Sequence, residues 1–412
     1  MKTDTNPDDK RPPEPVERER ARQHALLTIR RFWAGGPAEF DPWGRYKVNP
    51  DPLILHDLNG QELFYEFDVL DGNRVAGSVK TSASRMLGTP VPTVEFGPRG
   101  WEQDRATRQA QEQSKNLYPK ASILGTELVV YAYPKIGVRI DLDDPQLGRQ
   151  GLIIDVSDFT VVERYGSDEL EGQTAYSFYH EIVEPEAEER LRRYDLAERE
   201  LEAARSVDER LLAYDITTRE LPEIKKAILT GIDLVAIPFI SSRIIQYAPR
   251  CTPHDCFALY AQQTNVFCAV ATGQMILDFY RYYFTQNQIA AAMNTGPGGT
   301  TNPDQVDGYH SLTRNCMVAT FDGTAAWAEA KAEIDANRPL KSGIPGHARA
   351  CAGWMRQNIF LIGQPPKRWL RIYDPWPWNA DICNGGKIVW EDWDTVTHTN
   401  FIYLRHRTTD CS

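Results

Sequence analysis

One cysteine of the chain, Cys268, stands where a thiol can act as a nucleophile. Apolar residues follow it at helical spacing: Ala271, Met275, Ile276 or Leu277, Phe279 and Tyr283. A polar loop, residues 262–265, precedes it, so the pattern predicts that Cys268 opens a largely buried helix. Unpaired N–H groups and the helix dipole at that position lower the pKa of a thiol and can bind an oxyanion. Gln262, six residues upstream, would add a side-chain donor, with Gln263 as the alternative.

A thiolate nucleophile also requires a base and a group that orients the base. His347 opens a run of small residues typical of a strand, and a second predicted strand, residues 369–374, ends at Asp374. If these strands are antiparallel neighbours, the carboxylate fixes the imidazole tautomer and stabilises its charged form. Asn379 is the alternative orienting residue. The weaker candidates for the base, each in a polar or terminal context, are His310, His398 and His406.

The order of these residues resembles that of papain-fold cysteine peptidases. The similarity covers about residues 250–406 and is greatest to the bacterial branch that includes double-glycine leader peptidases and related plant-pathogen effector proteases. Shared marks of that branch are a Gln-x5-Cys spacing, a histidine flanked by small residues, and an Asp-Pro after a strand. Gln262, Cys268, His347 and Asp374 match these marks, so the resemblance implies that they are the catalytic residues.

Two features depart from that branch. Phe267 and Ala269 flank the cysteine, where those families often have Trp or Asp before it and Gly or Trp after it. Leader peptidases are also usually fused to a membrane transporter, which this sequence does not contain. Both departures concern the substrate rather than the chemistry.

The residues and the resemblance together predict a cysteine peptidase that hydrolyses peptide bonds of a protein or peptide through a thioester acyl-enzyme. Cys268 attacks, His347 transfers the proton, Asp374 orients the base and Gln262 supports the oxyanion. No metal or organic cofactor is required. The alternatives are an acyltransferase or deamidase with the same triad, and a catalytically silent binding or effector module on a peptidase scaffold.

The cysteines permit other interpretations of the C-terminal part. Residues 251–256 (CTPHDC) contain potential zinc ligands, but no second Cys/His pair follows at ligand spacing, so a loop or a disulfide is favoured. Seven cysteines occur: Cys251, Cys256, Cys268, Cys316, Cys351, Cys383 and Cys411. An odd number leaves at least one thiol unpaired in a monomer. The pairing of the others and the oligomeric state stay open.

Composition excludes some classes of function. The net charge of −11 disfavours nonspecific binding of nucleic acid, whose phosphates attract basic surfaces. No run of 18 apolar residues occurs, so no membrane span is expected. The polar N-terminus lacks the apolar segment of a secretory signal. This favours the cytoplasm, with export by a non-classical pathway as the alternative.

The pattern of elements predicts an α+β protein with four regions. Residues 1–23 are expected to be a disordered tail, residues 24–182 a smaller α+β domain, and residues 183–246 a charged helical connector. The papain-like domain, a helical half plus an antiparallel-sheet half, is expected to occupy residues 247–412.

The predicted N-terminal domain contains hairpin signals at Asn59-Gly60 and Asp71-Gly72, and no catalytic constellation. Its hairpin pattern, residues 57–79, resembles inhibitory pro-regions of other bacterial papain-like peptidases. One hypothesis is therefore that this domain covers the cleft with an added strand. The competing hypothesis is that it recruits a substrate or partner and leaves the cleft open.

Two further features are placed near the expected cleft. Residues 296–299 (GPGG) match neither a Walker loop nor a dinucleotide fingerprint, and are predicted to form a loop that borders the cleft. Trp376 and Trp378 are predicted to be core residues or walls of a substrate pocket.

Overall fold

A computed structural model describes residues 14–162, 170–172, 174–230, 239–246, 257–358 and 365–407 of the chain. The segment with potential zinc ligands, residues 251–256, lies outside these ranges, as does Cys411.

The first described helix begins within the segment predicted to be a disordered tail. Helix α1 spans Arg18–Gly35, so residues 18–23, predicted to be a disordered tail, are helical. The charged side chains of this turn are anchored to helix α3 (Ala187–Val207). Arg20 and His24 both bond to Glu198, at 2.8 Å and 2.7 Å. Charge in this segment therefore indicates pairing with a second helix rather than disorder.

The N-terminal region is rich in strands, as predicted. Its strands are β1 Lys47–Val48, β2 Leu53–Asp57, β3 Glu62–Asp71, β4 Arg74–Ser82, β5 Thr93–Phe96, β6 Ser122–Ala132, β7 Lys135–Asp144, β8 Gly148–Asp155 and β9 Leu170–Gly172. The two predicted hairpins are present as β2–β3 and β3–β4. Their turns contain Gly60 and Gly72 at φ +87° and +62°, angles that favour glycine. The polar segment before β6 forms helix α2, Gln103–Leu117.

The C-terminal region combines helices with an antiparallel sheet. Its helices are α5 Cys268–Phe279, α6 Gln286–Ala292, α7 Asn302–Leu312 and α8 Trp327–Asp335. Its strands are β11 Gly299–Thr301, β12 Met317–Asp322, β13 Leu340–Ile344, β14 His347–Asn358, β15 Lys367–Asp374, β16 Lys387–Asp392 and β17 Asn400–His406. This mixed architecture is consistent with a papain-like fold, and α5 packs on β14 at its centre.

The predicted connector contributes to both regions. After α3 it forms helix α4, Leu221–Thr230, and strand β10, Phe239–Ile244. Strand β10 is not part of a helical linker, because it pairs antiparallel with residues 353–358 of β14.

One continuous sheet joins the two strand-rich regions among the described residues. Its strand order is β12-β17-β13-β14-β15-β16-β5-β4-β3-β2-β6-β7-β8. The junction is the antiparallel pairing of β16 with β5, in which Ile388 faces Phe96 and Glu391 faces Thr93. The N-terminal strands therefore extend the sheet that carries β14 and β15.

Among the described residues, no helix is both long and apolar enough to cross a membrane. Cys316 and Cys383 are each disulfide-bonded. Cys268 and Cys351 are free thiols, and both are buried.

Candidate active site

Cys268 is the first residue of α5, as the apolar spacing predicts. The helical hydrogen bonding starts at the residue before Cys268, because the Ala271 N–H donates to the Phe267 carbonyl at 2.8 Å. The side chain of Cys268 is 0% exposed and packs with Ala269 and Ala348. The thiol therefore lies at a helix N-terminus, where backbone N–H groups lack intrahelical partners.

His347 and Asp374 meet because β14 and β15 are antiparallel neighbours. His347 begins β14 and Asp374 ends β15, so both stand at the same end of the sheet. The His347 Nε2 and Asp374 Oδ1 atoms are 2.8 Å apart, and the Trp376 N–H donates to the same carboxylate oxygen at 2.9 Å. The alternative orienting residue, Asn379, instead accepts from the Asp381 N–H at 2.9 Å.

The bond to Asp374 decides which ring nitrogen of His347 is left for the thiol. Nδ1 is buried and interacts with the Cys268 thiol. Within the described residues, it has no hydrogen bond to a nitrogen or oxygen atom. Burial is the largest influence and raises the pKa of the Cys268 thiol, but the hydrogen bond and charge of His347 and the charge of Lys135 together leave this pKa below its ordinary value. Burial lowers the pKa of His347, but the charge and hydrogen bond of Asp374 and the hydrogen bond with Cys268 together raise it by more. These shifts favour a thiolate paired with an imidazolium.

Asp374 is held in its ionised form by the same surroundings. Burial raises the pKa of this carboxyl, but the charges of His347 and Arg349 and the Trp376 N–H lower it by more. A permanently ionised carboxylate can stabilise the imidazolium throughout a proton-transfer cycle.

Gln262 is buried beside the end of β15. Its backbone N–H donates to the Pro375 carbonyl at 3.0 Å, and its own carbonyl accepts from the Asn379 N–H at 2.9 Å. Its side-chain Nε2 donates to the Thr264 carbonyl at 2.7 Å, which leaves one N–H for another acceptor. Gln263 points elsewhere, because its Nε2 donates to the Ala380 carbonyl at 3.1 Å.

The other candidate bases have different partners. His310 Nε2 accepts from the Ala319 N–H at 3.0 Å. His398 stacks on Trp393 with ring centroids 4.2 Å apart, and burial lowers its pKa far below the ordinary value. His406 makes an edge contact with Tyr280.

Lys135 is a residue at the site that the sequence does not reveal. It begins β7, it is buried, and its charge lowers the pKa of Cys268. Its Nζ donates to the carbonyl of Gly172. No motif marks this lysine, because its position depends on N-terminal strands folding against the C-terminal region.

Strand β9, residues 170–172, contacts both α5 and β14, and its Gly172 N–H donates to the Gly346 carbonyl, next to His347, at 3.2 Å. We call the space beside Cys268 and His347 that β9 fills the groove. Strand β9 pairs antiparallel with β11, and Gly172 faces Gly299. The loop predicted to border the cleft, residues 296–299, thus ends at a residue of this pairing. Trp376, the predicted core or pocket residue, is buried and donates to Asp155 at 3.2 Å, which makes it a core residue at the junction of the two regions.

Comparison with known proteins gives a family match for part of the chain. Residues 254–393 match the family described as Peptidase_C39 like. No curated protein sequence matches the chain.

Two solved structures are similar at low identity. The peptidase domain of Streptococcus ComA, a bi-functional ABC transporter involved in a quorum sensing pathway, is 15% identical, with 37% of this chain and 99% of that one covered and a TM-score of 0.27. A double glycine motif protease from an AMS/PCAT transporter, in complex with the leader peptide, is 13% identical, with 39% and 100% covered and a TM-score of 0.26. Cys268, His347 and Asp374 all lie within the region that matches the Peptidase_C39-like family. This family match supports a cysteine peptidase.

Proposed function

We propose that the chain hydrolyses peptide bonds with Cys268 as nucleophile, His347 as base and Asp374 as the residue that orients the base. One observation carries the proposal: a thiol at a helix N-terminus interacts with an imidazole whose far nitrogen is 2.8 Å from a buried carboxylate. Such a chain of nucleophile, base and orienting group is the general arrangement for acyl transfer by a side chain.

The reaction follows from the protonation states of the pair. The Cys268 thiolate attacks the substrate carbonyl, and the oxyanion that forms accepts from N–H groups at the start of α5 and from Gln262. His347 gives its Nδ1 proton to the leaving amine as the thioester forms. Water, deprotonated by His347, then hydrolyses the thioester and restores the thiol.

The substrate class is a protein or peptide, and the N-terminal region restrains access to it. Support for restraint comes from burial, because Cys268 and His347 are both 0% exposed while β9 lies in the groove. The element in the groove is β9, not the hairpins at residues 57–79. The competing hypothesis, recruitment of a partner with an open cleft, lacks this support.

A test of the activity is labelling by an epoxide or vinyl-sulfone thiol reagent, with the modified cysteine mapped by mass spectrometry. Cys351 is the internal control, because it is also a buried free thiol and burial raises its pKa to about 12. Because β9 covers Cys268, the test uses the Gly172→Ala chain, in which the added Cβ would lie 2.6 Å from the Gly299 Cα and displace β9. In that chain we expect modification of Cys268 and not of Cys351, and loss of labelling and of peptide hydrolysis when Cys268→Ala is added. Equal labelling of both cysteines would contradict an activated Cys268. A deamidase would leave the length of its substrate unchanged, whereas a peptidase yields two fragments.

A further inference from the structure

Lys341 is a buried ammonium group in contact with strand β9. It is the second residue of β13, and its side chain is 0% exposed. Its Nζ donates to Glu171 of β9, to Asn400 and, at 2.8 Å, to Asn302. An ammonium group has three donors, so these bonds satisfy all of them. Glu171 is the carboxylate paired with Lys341 within the described part of the chain.

The surroundings of the Glu171 side chain bind both oxygens of its carboxylate. Oε1 accepts from Lys341 Nζ and, at 3.4 Å, from Asn400 Nδ2, whereas Oε2 accepts from Gln305 Nε2 at 2.7 Å. All three donor residues are buried. Gly343 leaves space for the carboxylate, because a Cβ there would lie 2.6 Å from Oε1. This space, which we call the Lys341 pocket, therefore fits a carboxylate in shape, charge and hydrogen bonding.

The pocket and the carboxylate in it come from different regions of the chain. The donors lie on β13, α7 and β17 of the C-terminal region, whereas Glu171 lies on β9, a strand of three residues. Strand β9 pairs with β11 on one side, and on the other the Gly172 N–H donates to the Gly346 carbonyl at 3.2 Å. Backbone bonds to an extended strand, with pockets for its side chains, are a common mode of peptide recognition. A peptide from another molecule can therefore replace β9 without the loss of any donor of the pocket.

A second buried ammonium group, that of Lys135, lies at the same strand. Its Nζ donates to the Gly172 carbonyl, and no carboxylate pairs with it among the residues that the structure describes. Two ammonium groups thus contact β9, and Glu171 compensates one of them. Once β9 leaves, both ammonium groups lie at the groove without that carboxylate. Such a charge favours an acidic peptide over a neutral or basic one.

The charges of this part of the groove act on the catalytic thiol. Burial raises the pKa of Cys268, His347 lowers it, and the charge of Glu171 raises it. Burial lowers the pKa of Lys341, and the charges of Glu171 and Cys268 oppose this effect. Strand β13 also pairs with β14 so that Ile344, three residues after Lys341, faces His347. The Lys341 pocket therefore belongs to the groove in which a substrate would meet Cys268.

We propose that the Lys341 pocket is a specificity subsite that receives the side chain of a glutamate in the substrate, and that Glu171 occupies this subsite in the intact chain. The inference rests on the proposed function and adds a substrate class to it, extended peptides that contain a glutamate. A peptide with a neutral residue at this position would leave Lys341 without a counter-charge, which is strongly destabilising for a buried ammonium group. An aspartate would be one methylene too short to reach the same donors from the same backbone position.

The first experiment asks whether the pocket binds a free carboxylate. Glu171→Ala removes the side chain that fills the pocket, and propionate, which matches the end of a glutamate side chain, is the probe. At constant ionic strength, propionate should raise the midpoint of thermal unfolding of Glu171→Ala by about 2 °C or more relative to the parent chain, because it binds the folded state. Propionamide, its neutral analogue, should affect both chains equally.

The control for this measurement is Glu181→Ala, at an exposed position, which should respond to propionate like the parent chain. Equal responses of Glu171→Ala and the parent chain to propionate would overturn the carboxylate pocket.

The second experiment measures selection by the open groove. It uses the chain with Glu171→Ala and Gly172→Ala together, in which β9 neither fills the pocket nor fits beside Gly299. The probes are the acetylated tripeptide amides Leu-Glu-Gly, Leu-Gln-Gly and Leu-Asp-Gly, the first of which copies residues 170–172. The readout is protection of Cys268 from iodoacetamide.

Half-protection should require a concentration of the glutamate peptide that is about tenfold to a hundredfold lower than that of the other two, because hydrogen bonds between charged groups are lost with them. Equal protection by the three peptides, or none by any of them, would overturn the subsite.

Lys341→Met in the same chain tests which residue makes the selection. The change removes an ammonium group whose carboxylate partner is already absent from this chain, so folding should not suffer. We expect the three peptides to protect Cys268 equally in this variant. Lys115→Met, at an exposed position of α2, is the matched control and should keep the preference for glutamate. A preference that survives Lys341→Met would overturn the assignment of the pocket.

The reactivity of Cys268 separates failure of this inference from failure of the proposed function. If Cys268 of the open chain reacts faster than Cys351 but the peptides do not differ, the proposed function stands and the glutamate subsite is overturned. If Cys268 is no more reactive than Cys351, the proposed function is overturned. The propionate measurement does not involve Cys268, so it still decides whether the pocket binds a carboxylate.

Discussion

Glu95, on β5, accepts a hydrogen bond from Lys387, on β16, at 2.6 Å across the junction of the two strand-rich regions. Lys80 donates to the same carboxyl at 3.0 Å, and all three side chains are buried. Burial raises the pKa of Glu95, but the charges of Lys387 and Lys80 lower it by more. The carboxylate thus compensates two buried ammonium groups where the regions meet.

Replacing Glu95 with Ala should lower the free energy of unfolding by about 3–5 kcal/mol, because it leaves two buried ammonium groups without this partner. The pKa of Glu95 is lowered in the folded chain. Its contribution is therefore fully present above the unfolded value of about 4.3 and is lost as the pH falls below it. Denaturant unfolding at neutral and acid pH measures both effects.

Glu189→Gln is the matched control for this prediction. Glu189 pairs with Arg192 on the surface of α3 at 2.7 Å, and exposed pairs contribute about 0–1 kcal/mol. Similar losses of stability in the two variants would contradict a structural role for the Glu95 cluster.

The reactivity of Cys268 should persist below the ordinary thiol pKa of about 8.5. Although burial raises the pKa of Cys268, His347 and Lys135 together lower it by more. In the Gly172→Ala chain, the rate of alkylation by iodoacetamide should therefore have a midpoint below that value. His347→Gln should move the midpoint upward, since burial remains and the opposing charge is lost. An unchanged midpoint would contradict the ion pair.

Asp374→Asn should lower kcat/KM on a peptide substrate by about 10²–10⁴-fold, because the amide no longer fixes the tautomer of His347 or stabilises its charge. Asn379→Ala is the control, since the Asn379 side chain bonds to Asp381 and its backbone contact with Gln262 survives the change. Steady-state kinetics with unchanged thermal stability separates this effect from misfolding. A larger loss in Asn379→Ala would reassign the orienting residue.

Gln262→Ala should reduce kcat by about 10²-fold, the usual loss for one oxyanion donor. Gln263→Ala should have little effect, because its side chain donates to Ala380. The two adjacent glutamines differ in burial, and only Gln262 is fully buried. If Gln263→Ala showed the larger loss, the assignment of the oxyanion donor would be wrong.

The sequence predicts those parts of the site that depend on local pattern. Apolar spacing places Cys268 at the start of α5, and strand-forming runs place His347 and Asp374 on neighbouring strands. Each of these features is determined by residues close together in the chain or by pairing of consecutive strands. Helix α2 and the hairpins of β3 are predictable for the same reason.

The features that the sequence does not predict depend on contacts between distant segments. Lys135, Glu171 and Lys341 meet at the groove only because the N-terminal strands fold against the C-terminal region. The pairing of β5 with β16 joins strands nearly three hundred residues apart, and neither strand carries a signal for its partner. A short strand such as β9 also has too few residues to show a period.

The shared sheet predicts that the N-terminal region cannot be removed in the way a separable pro-region can. Deleting residues 1–182 would leave β16 as an unpaired edge, which promotes association with other chains. It would also remove Phe32, whose ring is 5.1 Å from that of Trp369, and Glu39, which accepts from Arg371 at 2.7 Å. Apolar surface of β15 would then face water.

We therefore expect residues 183–412 alone to aggregate or to unfold without cooperativity, as measured by size-exclusion chromatography and thermal unfolding. The full-length Gly172→Ala chain is the control, because it retains both regions and should keep the oligomeric state and the cooperative unfolding of the parent chain while the groove opens. Relief of restraint would then require displacement of β9 rather than loss of the whole region. If the truncated chain were monomeric and unfolded cooperatively, the C-terminal region would fold independently. The N-terminal region would then be a removable domain, and this prediction would be wrong.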